Sequence, residues 1–173
     1  MPKADETRAH IIEKTASVFN KKGFVGTTLS DMEAATGLTK GSIYNNFENK
    51  DEVALAVFDY NLRKVNDLIR KEMDKHHSAK EQLISYVKIY GANFSDSPFT
   101  SGGCPILNTA VESDDTHPQL KKKASNAVTA WMNKVANLIE KGIKQKEFRS
   151  SINSKETAAM IVASIEGAIM ISR

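Results

Sequence analysis

The sequence predicts an all-α protein, and three observations support this fold class. Apolar residues recur at the three- and four-residue spacing of a helix over most of the chain. No segment shows the alternating pattern that indicates a β-strand. Clusters of Gly, Ser, Asp and Pro divide the chain into segments of helical length. The 173 residues are enough for one large domain or two small ones.

The first predicted helix runs from about residue 5 to residue 22 and ends at Gly23. Ile12, Ala16 and Phe19 fall on one of its faces at helical spacing. Gly23 is then the natural stop, because glycine adopts the backbone conformations that end a helix at little cost.

Two short helices joined by a tight turn are predicted between residues 27 and 50. Thr27 or Thr28 can cap the first helix through its hydroxyl group. Gly37 stands where the chain must stop and turn back, a position that often needs a positive φ. Thr39 caps the second helix, which covers residues 40–45. This is the pattern of a helix-turn-helix, whose second helix usually lies in the major groove of DNA.

The remaining predicted helices are each bounded by a cap or a loop. Asn49 caps the first of them, and Pro118 suits the opening position of the fourth, with Thr116 or His117 near its cap. Residues 95–103, rich in Ser, Gly and Pro, form the clearest loop. These helices cover about residues 50–75, 79–94, 105–113, 118–144 and 154–172.

Residues 37–47, Gly-Leu-Thr-Lys-Gly-Ser-Ile-Tyr-Asn-Asn-Phe, followed by Lys50, resemble the signature of the TetR family of bacterial transcriptional regulators. Glu33 and Thr36 stand where that family usually has small apolar residues, and neither changes the expected fold. The resemblance implies a helix-turn-helix DNA-binding domain over residues 1–48. It also implies an effector-binding and dimerisation domain over residues 49–173, from which the last helix of the family pattern is missing.

The same resemblance implies which residues contact DNA. Helix starts hold phosphate through hydroxyl and amide groups, and Tyr44 and Lys50 match phosphate-contacting positions. Asn45 is the best base-reading candidate, because an amide can pair with adenine. Thr28 and Thr39 could instead act as caps only, and Tyr44 could be a packing residue. The implied positions are Thr28, Thr39, Lys40, Gly41, Ser42, Tyr44, Asn45 and Lys50.

The charge of the chain is a weak argument for nucleic acid. Its formal net charge is +3, and the first 50 residues hold seven Lys or Arg and six Asp or Glu. Affinity for DNA must therefore come from a few placed cations and backbone amides, doubled by dimerisation, and not from a broad basic surface.

In the TetR family an effector binds inside the larger helical domain, and this resemblance makes the apolar and aromatic residues of the central helices pocket candidates. Most such residues are core in any helical protein. Two tyrosines and one asparagine would supply the polar groups of a pocket. The candidates are Phe58, Leu62, Tyr86, Tyr90, Phe94, Phe99, Cys104, Leu107, Asn108, Val111, Trp131 and Val135.

Cys104 precedes Pro105 at a predicted helix start, where the positive end of the helix favours a thiolate. Some TetR-like regulators have a reactive cysteine at a similar place that senses oxidants or electrophiles. The alternative is a small, buried, apolar residue in a pocket wall. A thiol enzyme using Cys104 and His117 is a third and much weaker interpretation. Asp114, Asp115 and His117 lack a metal-ligand spacing, so neither a metal nor a cofactor is expected.

The final helix carries small residues that permit close helix approach, and we expect Ala159, Ala163, Gly167 and Met170 to form a homodimer interface. A lone cysteine, a polar start and the lack of an apolar run of roughly 20 residues indicate a cytoplasmic protein without a membrane span. We therefore predict a repressor that a small-molecule effector releases from a pseudo-palindromic DNA operator, and not an enzyme.

Overall fold

The computed structural model describes residues 3–90 and 100–172. Within these ranges the regular structure is helical, which confirms the predicted fold class. The helices are α1 (Lys3–Gly26), α2 (Leu29–Thr36), α3 (Lys40–Tyr44), α4 (Lys50–Met73), α5 (Ala79–Lys88), α6 (Pro105–Ser113), α7 (Pro118–Lys144) and α8 (Ser154–Ile171). None of the helices in the described ranges has the length and apolar character that a membrane crossing requires.

The described residues fall into two compact units. The first unit contains residues 3–64 and 100–124, and the second contains residues 65–90 and 125–172. In the first unit, α1 packs against α2 and α6, and α2 packs against α3. Ile11, Met32, Ile43 and Val53 are each fully buried there.

Helix α1 is interrupted at Gly23, whose φ of 72° and ψ of 178° are not helical. The long regular part of the helix therefore stops where the sequence predicts. One further helical turn follows before α2, and the hydroxyl of Thr27 donates to the carbonyl of Gly23 over 2.6 Å.

The predicted caps of the helix-turn-helix are confirmed. Thr28 caps α2 in a reciprocal capping box with Asp31, and Thr39 caps α3 by accepting from the amide of Ser42. Gly37 ends α2 in the left-handed conformation with φ of 71°.

Most of the other predicted boundaries hold as well. Asn49 accepts from the amide of Glu52 at 2.9 Å and so opens α4. His117 caps α7 with its ring, because Nδ1 accepts from the amide of Leu120 at 3.2 Å. Helix α5 covers Ala79–Lys88, residues 89 and 90 continue it as a π-helix, and the predicted end near residue 94 lies outside the described residues.

The second unit has its own apolar core, with Ile69, Trp131, Ile139 and Ala158 almost fully buried. One carboxylate fixes the start of α5 within this unit. Glu147 accepts from the hydroxyl of Ser78 and from the amide of Lys80, each at 2.8 Å. The bond from Lys80, followed by the bond from Ser78, lowers the pKa of Glu147.

Candidate nucleic-acid interface

The second helix of the helix-turn-helix, α3, is held at its start by a side chain of the first. A carboxylate oxygen of Glu33 accepts from the amide of Lys40 at 2.7 Å. Glu33, which departs from the pattern of the family, therefore helps to cap α3. Helix α3 exposes Lys40 and Gly41 and buries Ile43 completely, which leaves one face open to a partner.

The two asparagines at the end of α3 differ in their contacts. The amide nitrogen of Asn46 donates to the carbonyl of Ser42 at 2.9 Å, so this side chain is turned back on its own helix. Asn45 is exposed, and its backbone amide donates to the carbonyl of Gly41 at 2.9 Å. Of the two asparagines, Asn45 is thus the exposed one, and its role as a base-reading residue stays a prediction.

Arg8 supports the end of α3, a role that the sequence did not reveal. Its guanidinium donates to the carbonyl of Asn46 and, at 2.5 Å, to a carboxylate oxygen of Glu52. It also lies 3.9 Å from the centroid of the Phe47 ring. The pKa of Glu52 is lowered, chiefly by the bond from the amide of Glu48 and then by Arg8. The C-terminal end of α3 is thus held between α1 and α4.

Lys50 has internal partners in this structure. Its ammonium donates to the carbonyls of Phe24 at 2.9 Å and Thr27 at 3.1 Å, and it lies 4.4 Å from the centroid of the Phe24 ring. Because an ammonium group has three N–H donors, one donor remains for a phosphate oxygen. Lys50 therefore also ties α4 to the turn between α1 and α2.

The two threonines predicted to touch phosphate use their hydroxyl groups as caps. Thr28 accepts from the amide of Asp31 at 3.2 Å and donates to its carboxylate at 2.9 Å. Thr39 accepts from the amide of Ser42 and donates to the Ser42 hydroxyl, each at 3.3 Å. A salt bridge of 2.6 Å from Lys22 adds to the capping box. That bond, followed by those from Thr28, lowers the pKa of Asp31 to about 2.

The pocket candidates of the first unit occupy different surroundings. Phe58 and Cys104 are buried, and Leu62 and Leu107 are half-buried. Val111, on α6, is 73% exposed in the single chain, so it does not line an enclosed cavity there, and its contact with an effector stays an untested prediction.

Asn108, a predicted polar group of the pocket, is engaged within the first unit. Its amide nitrogen lies 2.8 Å from the side-chain oxygen of Asn20 and 2.8 Å from the carbonyl of Gly102. Asn20 in turn donates to the carbonyl of Gly103 at 3.0 Å. These bonds join α6 and the loop before it to α1. The amide of Asn108 therefore has a positioning role in this structure.

The pocket candidates of the second unit are buried aromatic and apolar residues. Tyr86 and Tyr90 meet edge to face with 5.4 Å between ring centroids. Trp131 and Val135 are also buried, and the indole nitrogen of Trp131 donates to Asn66 at 3.4 Å. The candidates Phe94 and Phe99 lie outside the described residues.

A thiol sensor requires an accessible sulfur, and a thiol enzyme also requires an available base. Cys104 precedes α6 as predicted, but only 1% of the residue is exposed. Both ring nitrogens of His117 are occupied, Nε2 by Asp51 at 3.0 Å and Nδ1 by the amide of Leu120. Neither a reactive thiol nor a thiol–imidazole pair is favoured by this arrangement. Residues 3–90 and 100–172 contain no cluster of three or more His, Cys, Asp or Glu arranged to hold a metal.

Helix α8 has a buried face and an exposed face. Ala158, Val162, Ile165 and Ile169 are buried in the second unit. The residues predicted for the dimer interface, Ala159, Ala163, Gly167 and Met170, lie on the other side, where Met160 and Met170 are 70% and 69% exposed. A Cβ atom added at Gly167 would meet nothing within 4 Å. This face is open to another protein surface.

A capped α3 with one open polar face defines a helix-turn-helix DNA-binding protein. Two family models cover most of the chain. The model described as "Bacterial regulatory proteins, tetR family" matches residues 11–57, and that described as "Tetracyclin repressor-like, C-terminal domain" matches residues 79–173. The chain belongs to the TetR family of transcriptional regulators.

Solved structures and curated proteins agree with this assignment. A TetR-family regulator from Cytophaga hutchinsonii is 47% identical, with a TM-score of 0.92 over 99% of this chain and 85% of that chain. A TetR regulator from Chloroflexus aurantiacus J-10-FL is 38% identical, with a TM-score of 0.93 over 100% of this chain and 87% of that chain. The HTH-type transcriptional repressor DhaR from Mycobacterium sp. (strain GP1) is 26% identical over 94% of this chain and 80% of its own.

Proposed function

We propose that the protein is a transcriptional repressor that binds a pseudo-palindromic operator as a homodimer and leaves it when a small-molecule effector binds. This proposal rests on how firmly α3 is held at both ends and on which of its residues are exposed. The helix is capped at its start by Thr39 and Glu33 and held at its end by Arg8. Its exposed face presents Lys40, Gly41 and Asn45. A rigid helix with an open polar face suits insertion into a major groove.

Each DNA-contacting residue has a proposed role. Asn45 reads a base edge through its amide. Lys40, Ser42, Tyr44 and Lys50 hold phosphate, and Gly41 lets the backbone approach DNA closely. The hydroxyls of Thr28 and Thr39 are engaged as caps, so their proposed contribution to phosphate binding is positional, through the helix starts that they fix. Residues 1–48 are the proposed DNA-binding domain.

The exposed face of α8 is the proposed homodimer interface. One five-residue helix reads too few bases for specific binding, and a two-fold dimer doubles the contacts on a pseudo-palindrome. Ala159, Ala163 and Gly167 allow a second helix to approach closely, and Met170 adds exposed apolar area. These residues belong to the proposed effector-binding and dimerisation domain, residues 49–173.

A small-molecule effector is proposed to bind among the buried aromatic and apolar residues of that domain. Tyr86, Tyr90 and Trp131 combine apolar rings with polar groups, as pocket residues commonly do. Effector binding would favour a spacing of the two recognition helices that does not fit successive major grooves. A coupling of about 1–3 kcal/mol is enough to change operator affinity usefully. Such a regulator acts in the cytoplasm, where the DNA lies.

Selection of DNA from a random duplex library by the full chain tests the proposed function. We expect enrichment of a sequence with two-fold symmetry and half-sites about one helical turn apart. A library that stays unenriched after several rounds would refute sequence-specific binding. A compound screen then tests for an effector by measuring release of the selected duplex through fluorescence anisotropy. Trp131→Phe is compared in the same screen, because it removes the indole N–H and keeps an aromatic ring.

A further inference from the structure

A carboxylate on α6 holds the backbone of the turn that leads into α2. One oxygen of Glu112 accepts from the amide of Phe24 at 2.7 Å, and the other accepts from the amide of Val25 at 2.9 Å. These amides open the short helical turn that follows the break at Gly23. The first amides of a helical turn lack partners within the helix, and a carboxylate is a strong acceptor for them.

Gly23 is shaped for this contact in two ways. Its φ of 72° is a conformation that side chains rarely adopt. A Cβ atom at this position would lie 2.4 Å from a carboxylate oxygen of Glu112. The bare backbone at Gly23 therefore allows Glu112 to approach both amides.

The turn held by Glu112 also supports the helix-turn-helix and the start of α4. The carbonyls of Phe24 and Thr27 accept from Lys50 at the start of α4. The next residue, Thr28, caps α2, which in turn caps α3 through Glu33. A shift in the position of the turn would therefore move the first residues of α2 and α4.

The ring of Phe24 provides a second contact between the turn and the chain around α6. It meets the ring of His117 edge to face, with 4.8 Å between centroids. His117 lies four residues after the end of α6, caps α7, and contacts Asp51 in the first turn of α4 at 3.0 Å. The turn therefore has a polar contact with α6, through Glu112, and an aromatic contact with the residue that caps α7.

We infer that Glu112 is a positioning residue for DNA reading, through which the position of α6 sets the geometry of the helix-turn-helix. This inference rests on the proposed function, because it assumes that α3 reads DNA. Hydrogen bonds of 2.7 and 2.9 Å leave the bonding range together if α6 moves by about 1 Å. A movement of α6 away from the turn by that distance would therefore release both amides from Glu112.

Glu112→Gln is the sharpest variant for testing this role. It keeps the size of the side chain and one carbonyl oxygen, but its NH₂ group would face a second N–H donor. Glu13→Gln is the matched control, because Glu13 is exposed on α1. Ile11→Val lowers stability by trimming a fully buried side chain, and so separates lost stability from lost positioning.

The experiment combines amide exchange with DNA binding, at a temperature where each variant is fully folded. For Glu112→Gln we expect exchange of the Phe24 and Val25 amides to accelerate about tenfold or more. We also expect the ratio of affinities for selected and scrambled duplexes to fall about tenfold, the factor that one lost charge-assisted bond supplies. Glu13→Gln and Ile11→Val should keep the wild-type ratio.

Two results would overturn the inference. Unaltered exchange of both amides would show that the carboxylate does not cap the turn. Faster exchange with an unchanged affinity ratio would show that the cap is local and does not position the DNA-reading helices. If the wild-type chain selects no DNA, the proposed function fails instead, and the exchange measurement still reports whether Glu112 caps the turn.

Discussion

Glu33 in α2 accepts a hydrogen bond of 2.7 Å from the backbone amide of Lys40, the first residue of α3. Together with Thr39, this bond satisfies amides at the start of a helix only five residues long. A helix this short is not stable alone, so its order depends on such contacts. The position of α3 is therefore set by its contact with α2 as well as by the sequence of α3 itself.

Glu33→Ala should destabilise the protein by about 1 kcal/mol, the usual cost of losing a helix cap. Glu33→Gln should retain most of that stability, because an amide oxygen still accepts the bond. Urea unfolding followed by circular dichroism measures both, with Glu13→Ala as the exposed control on α1. Equal stability of Glu33→Ala and the control would show that the cap contributes nothing.

Asn45→Ala should cost about 1–3 kcal/mol of affinity for the selected operator and little for a scrambled duplex. The reason is that Asn45 is exposed and its side chain is open to a base edge. Asn46→Ala should instead lower stability, because the bond to the Ser42 carbonyl is lost. Anisotropy titrations on the two duplexes separate these effects, and an operator preference that survives Asn45→Ala would remove the assignment.

Lys50→Ala should have two separable effects. Loss of the bonds to Phe24 and Thr27 should lower the melting temperature without DNA. Loss of a phosphate contact should weaken binding to every sequence and reduce the salt slope by about one. A lower melting temperature with an unchanged slope would make Lys50 purely structural.

Ala163→Glu should convert the proposed dimer into a monomer, because it places a charge at the centre of the exposed α8 face. The variant should stay folded, since position 163 is exposed in the single chain. Sedimentation velocity measures the mass, and Lys155→Glu at the start of α8 is the control for added negative charge. A dimer that persists in Ala163→Glu would place the interface elsewhere.

Asp31 should make the helix-turn-helix sensitive to acid. Its pKa is about 2 in the folded protein, against an ordinary value of 3.8, so the folded state binds this proton less readily. Its stabilising contribution is therefore complete above about pH 4 and is lost as the pH falls through the folded value. In urea unfolding, the stability difference between wild type and Asp31→Asn should therefore shrink on acidification, and a difference that stays constant down to about pH 2 would contradict this.

The sequence was sufficient for the parts of the fold that depend on local chemistry. Thr28, Gly37, Thr39 and Asn49 each cap or end a helix through bonds to residues within a few positions. Such bonds follow from short-range spacing and can be predicted without tertiary information. The two faces of α8 are a similar case, because burial follows helical periodicity.

The contacts that position the candidate interface join distant segments, and the sequence did not predict them. Arg8 reaches Glu52, and Glu112 reaches Phe24 and Val25, across 44, 88 and 87 positions. No spacing rule connects such residues, because their meeting depends on how the helices pack. Val111 is the converse case, because an apolar residue that its type alone would place inside is exposed on α6.

The most direct test of sequence reading by α3 is the ratio of dissociation constants for the scrambled and the selected duplex, measured by anisotropy at physiological salt. We expect the selected duplex to bind about a thousandfold more tightly than the scrambled duplex, or better, as specific DNA-binding proteins do. A ratio near one, with both affinities falling steeply as salt rises, would mean that binding is only electrostatic. That result would contradict sequence reading by α3, and with it the proposed repressor.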